Sequence, residues 1–306
     1  MKKTLALLLA LACISSFSLD ARKRAKHVIF IGIDGWAAEG VRQAPEDDIP
    51  NIHELMDDGS WTLSKRSVMP SASAINWASM FNGLPTEMHG FDKWNSRTGT
   101  IPSTADNGHG IPPTIFTVLR EQHPKAETGI IYDWDGIGYV CDTLAASYHY
   151  FIKTYRGKET LLSPEKYAEL GADYIKEKKP ELLVFYFGCL DNAGHTYGWY
   201  GEEYMSTQRE IDKAIGVLIQ AAKDAGIYDD TVFIVSSDHG GTGKGHGKFT
   251  LEEMETPFIV CGKGIKEEYE IPYVIMQYDT SAIVADILGA KVPAYWRGRP
   301  VREIYR

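Results

Sequence analysis

From residue 27 onward, short apolar runs alternate with longer stretches of helical periodicity. HVIFIGID (27–34), TGIIYDWD (128–135), ELLVFYFGCLD (181–191) and TVFIVSSD (231–238) are rich in β-branched and aromatic residues, with little polar alternation. Runs of this kind predict strands of a parallel sheet covered on both faces. TPFIVCG (256–262) predicts a fifth. Between them, Ile211, Ala214, Ile215, Leu218, Ile219 and Ala222 recur on one face and predict a helix over 206–224. Ser163, Pro164 and Glu165 open a second helix, over 163–178: serine caps the free amides and proline suits the first turn. DTSAIVADILGA (279–290) predicts a third, closed by Gly289. Strand alternating with helix implies right-handed crossovers. The expected fold class is therefore α/β, a doubly wound, mostly parallel central sheet with helices on both faces. No repeat, low-complexity tract or linker interrupts the pattern, so residues 23–306 are expected to form a single domain.

The 306 residues, 44% hydrophobic and 24% charged, suffice for one large α/β core. The first residues follow another pattern. Lys2 and Lys3 precede an apolar stretch from Leu5 to Ile14 and then small residues, the form of a signal peptide over 1–22. That stretch is shorter than the roughly 20 residues that span a bilayer. Export is expected, with no transmembrane segment after processing. LALAC, ending at Cys13, loosely resembles a bacterial lipobox, with Ala10 where leucine is usual. A soluble periplasmic protein and a bacterial lipoprotein anchored at Cys13 both remain open. Cys141, Cys189 and Cys261 are too few and too scattered for a disulfide framework or a thiolate zinc site, and are expected to be buried.

The net charge is −9, and loss of Lys2, Lys3, Arg22 and Asp20 with the leader makes it about −11. Without a basic stripe the chain is not suited to a nucleic acid polymer. A small anionic substrate fits if a local cation receives it.

Candidate chemistry gathers at the strand ends. Asp34, Asp191 and Asp238 each close a predicted strand. In open α/β sheets the carboxyl ends of the strands form the ligand crevice. An aspartate there often only caps the next helix, but two of these come with histidine. DNAGH sets Asp191 and His195 four apart around Gly194, SSDHGG joins Asp238 to His239, and TGKGHGK holds His246 in a glycine-rich loop. Mixed aspartate and histidine ligands suit zinc, and more than four of them imply two ions. VMPSASAINWASMFNGLPTEMHG (68–90) adds Ser71, Ser73 and Ser79 near Asn76, with no adjacent base.

Asp34 in IGIDG, the serine stretch, DNAGH, SDHGG and GHG occur in the order seen in the alkaline phosphatase superfamily. They most resemble its nucleotide pyrophosphatase/phosphodiesterase branch, and the resemblance extends over residues 27–306, including PNIHELMDDGSW (50–61) as the helix after the first motif. It implies an alkaline phosphatase-like fold and two zinc ions per chain. One would be held by Asp191, His195 and His246, the other by Asp34, Asp238 and His239 with the oxygen of Ser73. It implies that Ser73 is the nucleophile, with Asn76 and the Ser73 amide receiving a non-bridging oxygen. Ser71 and Ser79 fit no such role, and His89 is expected to be structural. A zinc-lowered pKa explains the missing base: the serine alkoxide attacks phosphorus and forms a covalent intermediate.

The sulfatase pattern fails, because Ile75 and Trp77 stand where it requires proline and arginine. No lysine or arginine is identifiable for a phosphate monoester, which favours a small phosphodiester or nucleotide-like substrate. A phosphomonoesterase or phosphonate hydrolase is the alternative within the superfamily, and a non-catalytic exported metal-binding protein the alternative outside it. Trp134-Asp135-Gly136 departs from the branch's Trp-Pro-Gly. Phe91, Trp94 and Tyr197 are candidates for an aromatic substrate wall or ordinary core residues.

Overall fold

The computed structural model describes residues 24–306, so the leader and Cys13 lie outside the described residues. Strand β1 (His27–Ile33) runs through the middle of the protein. Its Val28 and Phe30 face one apolar core and Ile29, Ile31 and Ile33 face a second. Side chains alternate across a strand, so a strand buried on both sides reads as an unbroken apolar run. Each fully buried side chain of this type contributes about 1.5–3 kcal/mol.

The remaining strands are β2 (Gly59–Arg66), β3 (Thr128–Tyr132), β4 (Tyr148–Phe151), β5 (Tyr155–Arg156), β6 (Glu159–Thr160), β7 (Leu182–Phe187), β8 (Thr231–Ser236), β9 (Glu255–Gly262) and β10 (Tyr269–Glu270). The main sheet has the order β10-β2-β9-β8-β1-β7-β3-β4, and β5 pairs with β6 in a small hairpin. β9 is antiparallel to β2 and β8; every other pairing in the main sheet is parallel. The doubly wound, mostly parallel arrangement is as expected. Strand order reverses about β1, so the loops leaving β1, β7 and β8 share one crevice.

Helices Pro50–Asp57, Pro164–Lys178 and Glu202–Asp224 cover the Ile29 face, whereas Ser73–Asn82, Ile115–Gln122 and Asp279–Leu288 cover the other. The Ser163 hydroxyl caps its helix by accepting from the Lys166 amide, and Gly289 ends the last helix at φ 76°. Two sequence-based expectations need correction, and one strand has no counterpart among them. The segment 181–191 is not one strand: β7 stops at Phe187 and a helix starts at Cys189, so Asp191 lies in its first turn. The helix expected over 50–61 ends at Asp57. β2 follows it unforeseen, because it buries Ser60, Thr62 and Lys65 and lacks an apolar run.

Candidate metal centre and nucleophile

The turn after β1 brings the carboxylates together. Gly35 has φ 69°, and a Cβ there would approach the Asp191 Cα to 2.9 Å, so a side chain at this position is excluded on two counts. The Gly35 carbonyl is held by Trp199 Nε1 at 3.0 Å and the Tyr204 hydroxyl at 2.9 Å, and its amide donates to Asp238 Oδ1 at 3.1 Å. Asp191 and His195 lie four residues apart on the helix Cys189–Tyr197, hence on one face. Gly194 provides clearance for the Trp199 ring, which a Cβ would meet at 2.7 Å.

The six expected ligands lie close together, and among the described residues the sets whose ligand atoms converge are Asp34, Asp238 and His239, and Asp191, His239 and His246, with His195 beside the second. His195 Nε2 lies 3.5 Å from Asp191 Oδ2 and 3.1 Å from His246 Nε2, and His246 Nε2 is 3.7 Å from Asp191 Oδ1. His239 Nε2 lies 3.5 Å from Asp34 Oδ1 and 3.2 Å from Asp238 Oδ2. The His239 and His246 rings stack at 3.7 Å between centroids, so the groups adjoin.

The tautomers are fixed. Nδ1 of His195, His239 and His246 faces the carbonyls of Lys244, Gly240 and Ser71 at 3.0, 2.8 and 2.9 Å. A carbonyl only accepts, so each Nδ1 donates and each ring turns Nε2 inward, as a bare lone pair in His239 and His246, which burial keeps neutral. Burial pushes the His239 and His246 imidazoles down, His246 to about 2 with help from His239. Burial, reinforced by Asp34, holds the Asp191 and Asp238 carboxyls well above the carboxylate range. Asp191 Oδ1 and Asp238 Oδ2 are buried without a hydrogen-bond partner. With the Asp191 and Asp238 carboxyls raised and the His239 and His246 rings neutral, their contacts are not ion pairs. Orphaned carboxylate oxygens and inward Nε2 atoms are the donor set that a pair of zinc ions fits.

Ser73 opens the helix Ser73–Asn82, with its Oγ 3.1 Å from His239 Nε2 and 3.4 Å from Asp34 Oδ1. This is not a Ser-His-Asp triad, because His239 Nδ1 bonds a carbonyl and not a carboxylate. Asn76 is not brought to the nucleophile. Its Oδ1 accepts from the Val68 amide at 2.7 Å, and its Nδ2 donates to the carbonyls of Val68, Pro70 and Ala72 at 3.1–3.2 Å. This amide clasps the loop that delivers Ser73. The Ser71 hydroxyl donates to the Lys248 carbonyl and accepts from Gly247, tying down the His246 loop. His89 bonds Ser79 Oγ and the Phe91 amide and is structural. Cys141 and Cys261 are buried, Cys189 is half-buried, and none is in a disulfide.

A cavity of about 510 Å³ opens over Ser73, lined by Trp94, Trp134, Tyr155 and Tyr186 as well as Asp34, Asp191, His195 and His246. Of the expected aromatic wall only Trp94 is there; Phe91 is buried in the core and Tyr197 lies under the Lys158 ammonium. No lysine or arginine lines the cavity among the described residues.

Other residues of the site escaped the sequence reading. Asp133 accepts from the Gly188 amide at 2.8 Å and the Thr154 hydroxyl at 2.5 Å, joining the start of the Asp191 helix to the segment that carries Tyr155. Burial pushes its carboxyl up to about 7. It follows β3 directly, a fourth strand-end aspartate that YDWDG had on view. Lys65 is fully buried and donates to Ser236 Oγ at 2.9 Å and the Ser237 carbonyl at 3.2 Å, beneath the Asp238 turn. A lysine in a polar segment gave no signal of this.

The family model described as type I phosphodiesterase / nucleotide pyrophosphatase matches residues 28–256. The chain belongs to this family. Venom phosphodiesterase 2 of Crotalus adamanteus is 27% identical over 222 residues, 70% of this chain and 26% of the venom protein. Ectonucleotide pyrophosphatase/phosphodiesterase family member 1 of Mus musculus is 25% identical over 206 residues, 63% of this chain and 21% of its own length. The chain thus spans about a quarter of the length of these type I phosphodiesterases. In fold it resembles human ectonucleotide pyrophosphatase/phosphodiesterase 5, with TM-score 0.72, 15% identity and coverage of 92% of this chain and 100% of that one. A 2-O glycosaminoglycan sulfatase also resembles this chain in fold, with TM-score 0.70, 14% identity and coverage of 92% of this chain and 74% of that one.

Proposed function

We propose that the protein is an exported dinuclear-zinc phosphodiesterase that cleaves small phosphodiesters through a covalent phospho-serine at Ser73. The observation that carries this is the Ser73 hydroxyl beside His239 Nε2 and Asp34 Oδ1, where the buried Asp34–Asp238–His239 group meets the half-buried Asp191 and His246. Asp191, His195 and His246 would hold one ion, and Asp34, Asp238, His239 and Ser73 Oγ the other. When bound, the zinc pair lowers the pKa of the serine hydroxyl and of water and offsets charge on the apical oxygens. Ser73 Oγ forms a bond to phosphorus as the phosphorus–oxygen bond to the leaving alcohol breaks. Water then cleaves the Ser73 ester and restores the hydroxyl. Ser73 stands at the first helical position, so the positive end of that helix faces the phosphoryl oxygens. The aromatic lining offers stacking surface to an aryl or nucleoside group.

The absence of lysine and arginine from the described cavity lining supports a diester, which carries less charge than a monoester. Among the described residues no helix is long and apolar enough to cross a membrane. Residues 1–22 would direct export, Cys13 would serve as the anchor if the leader is a lipoprotein signal, and residues 23–306 would act as one catalytic domain. Turnover of bis(p-nitrophenyl) phosphate is expected to exceed that of p-nitrophenyl phosphate. Ser73→Ala is expected to lose at least about 10³-fold in kcat with zinc still bound. A strong monoester preference, or normal turnover by Ser73→Ala, would overturn the assignment.

A further inference from the structure

The surroundings of Asp34 give its two oxygens different tasks. Oδ1 faces Ser73 Oγ at 3.4 Å and His239 Nε2 at 3.5 Å. Oδ2 accepts from Trp77 Nε1 at 2.8 Å and from the Tyr186 hydroxyl at 2.5 Å. Two directed donors occupy the lone pairs of Oδ2, and both donor side chains are fully buried.

We propose that Trp77 and Tyr186 are positioning residues that make Asp34 a one-oxygen ligand, presenting Oδ1 alone to the Ser73 side of the centre. This rests on the dinuclear-zinc reading above. An unrestrained carboxylate binds a cation through one oxygen or two. Clamping Oδ2 removes that choice and fixes where Ser73 Oγ meets the ion.

The clamp is written into two short stretches. Trp77 lies four residues after Ser73 on one helix, so nucleophile and indole share a face. The indole then crosses β1 at Gly32, where a Cβ would meet Trp77 Cη2 at 2.4 Å. Gly32 is paired in register with Tyr186 on β7, so the phenol and the indole approach Asp34 over the same backbone. Their rings meet edge to face at 5.0 Å. Tyr186 also lines the substrate cavity and stacks on Trp134 at 6.4 Å, which links the aromatic wall to the orientation of a metal ligand.

The test uses metal-free wild type, Tyr186→Phe, Trp77→Phe and Gly32→Ala. Zinc affinities are measured by chelator competition, and cobalt(II)-loaded protein is examined by visible absorption. In each variant one of the two zinc affinities is expected to fall about 10–100-fold with the other unchanged. The cobalt band is expected to weaken as the freed Oδ2 joins the ion and raises its coordination number. Tyr186→Phe removes a single hydroxyl and carries the test by itself if the larger changes prevent folding, which circular dichroism reports. Wild-type affinities and an unchanged cobalt spectrum in Tyr186→Phe overturn the inference, even if its melting temperature drops. Wild-type protein that binds no zinc overturns this inference and the dinuclear reading together, whereas wild type with two ions and an unaffected variant overturns this inference alone.

Discussion

His195 and His246 face each other Nε2 to Nε2 at 3.1 Å, each with Nδ1 committed to a backbone carbonyl. With Nδ1 committed on both rings, Nε2 is the atom each has left to offer a metal, and the pair would hold a cation between them. The His195 side chain is 45% exposed, so its removal leaves the core intact. His195→Ala is therefore expected to purify with close to one zinc per chain, against two for wild type, by elemental analysis. Added zinc should raise the melting temperature of the metal-free variant less than that of metal-free wild type, since fewer ions bind the native state.

Asn76 separates a structural role from a catalytic one. Its amide satisfies three carbonyls and one amide of the loop that carries Ser73. Asn76→Ala leaves the Val68 amide and carbonyl without this partner, while the Pro70 and Ala72 carbonyls keep the amides of Ala72 and residue 76, and is expected to cost about 1–3 kcal/mol in urea denaturation. A drop in kcat of about 10²–10³ without loss of stability would instead assign Asn76 to the phosphoryl oxygen.

His89 gives the stability a pH dependence of known sign. Burial lowers its imidazole from 6.5 to about 3. Between those values the unfolded chain binds a proton that the folded chain does not, so stability falls as pH falls from about 6.5 towards about 3. The slope from this one group is up to about 1.4 kcal/mol per pH unit. His89→Asn is expected to show a smaller loss of urea midpoint between pH 7 and pH 4.5 than wild type.

Trp94 is 59% exposed at the cavity, where a substrate ring would cover it. Stacking of that kind is worth about 1 kcal/mol, or about fivefold in binding. Trp94→Ala is expected to raise KM for bis(p-nitrophenyl) phosphate about fivefold and leave kcat within about twofold. An unchanged KM would remove Trp94 from the substrate wall.

Much of this protein was legible along the chain because its signals are local. Unbroken apolar runs mark strands buried on both faces, and Ile211 to Ala222 mark a helix by period alone. The candidate ligands stood out because aspartate and histidine recur together beside glycine after apolar runs. Only the tertiary structure decided the rest. Asp191 moved from a strand to a helix because apolar periodicity does not register where β7 ends at Phe187. Asn76 turned away from the nucleophile because three backbone carbonyls, invisible in any motif, compete for its amide. Lys65, Asp133, Tyr186 and Trp77 entered the site through contacts between segments far apart in sequence. Sequence spacing fixes which face of an element a side chain occupies; which partner that face meets depends on strand order, and only the folded sheet specifies it.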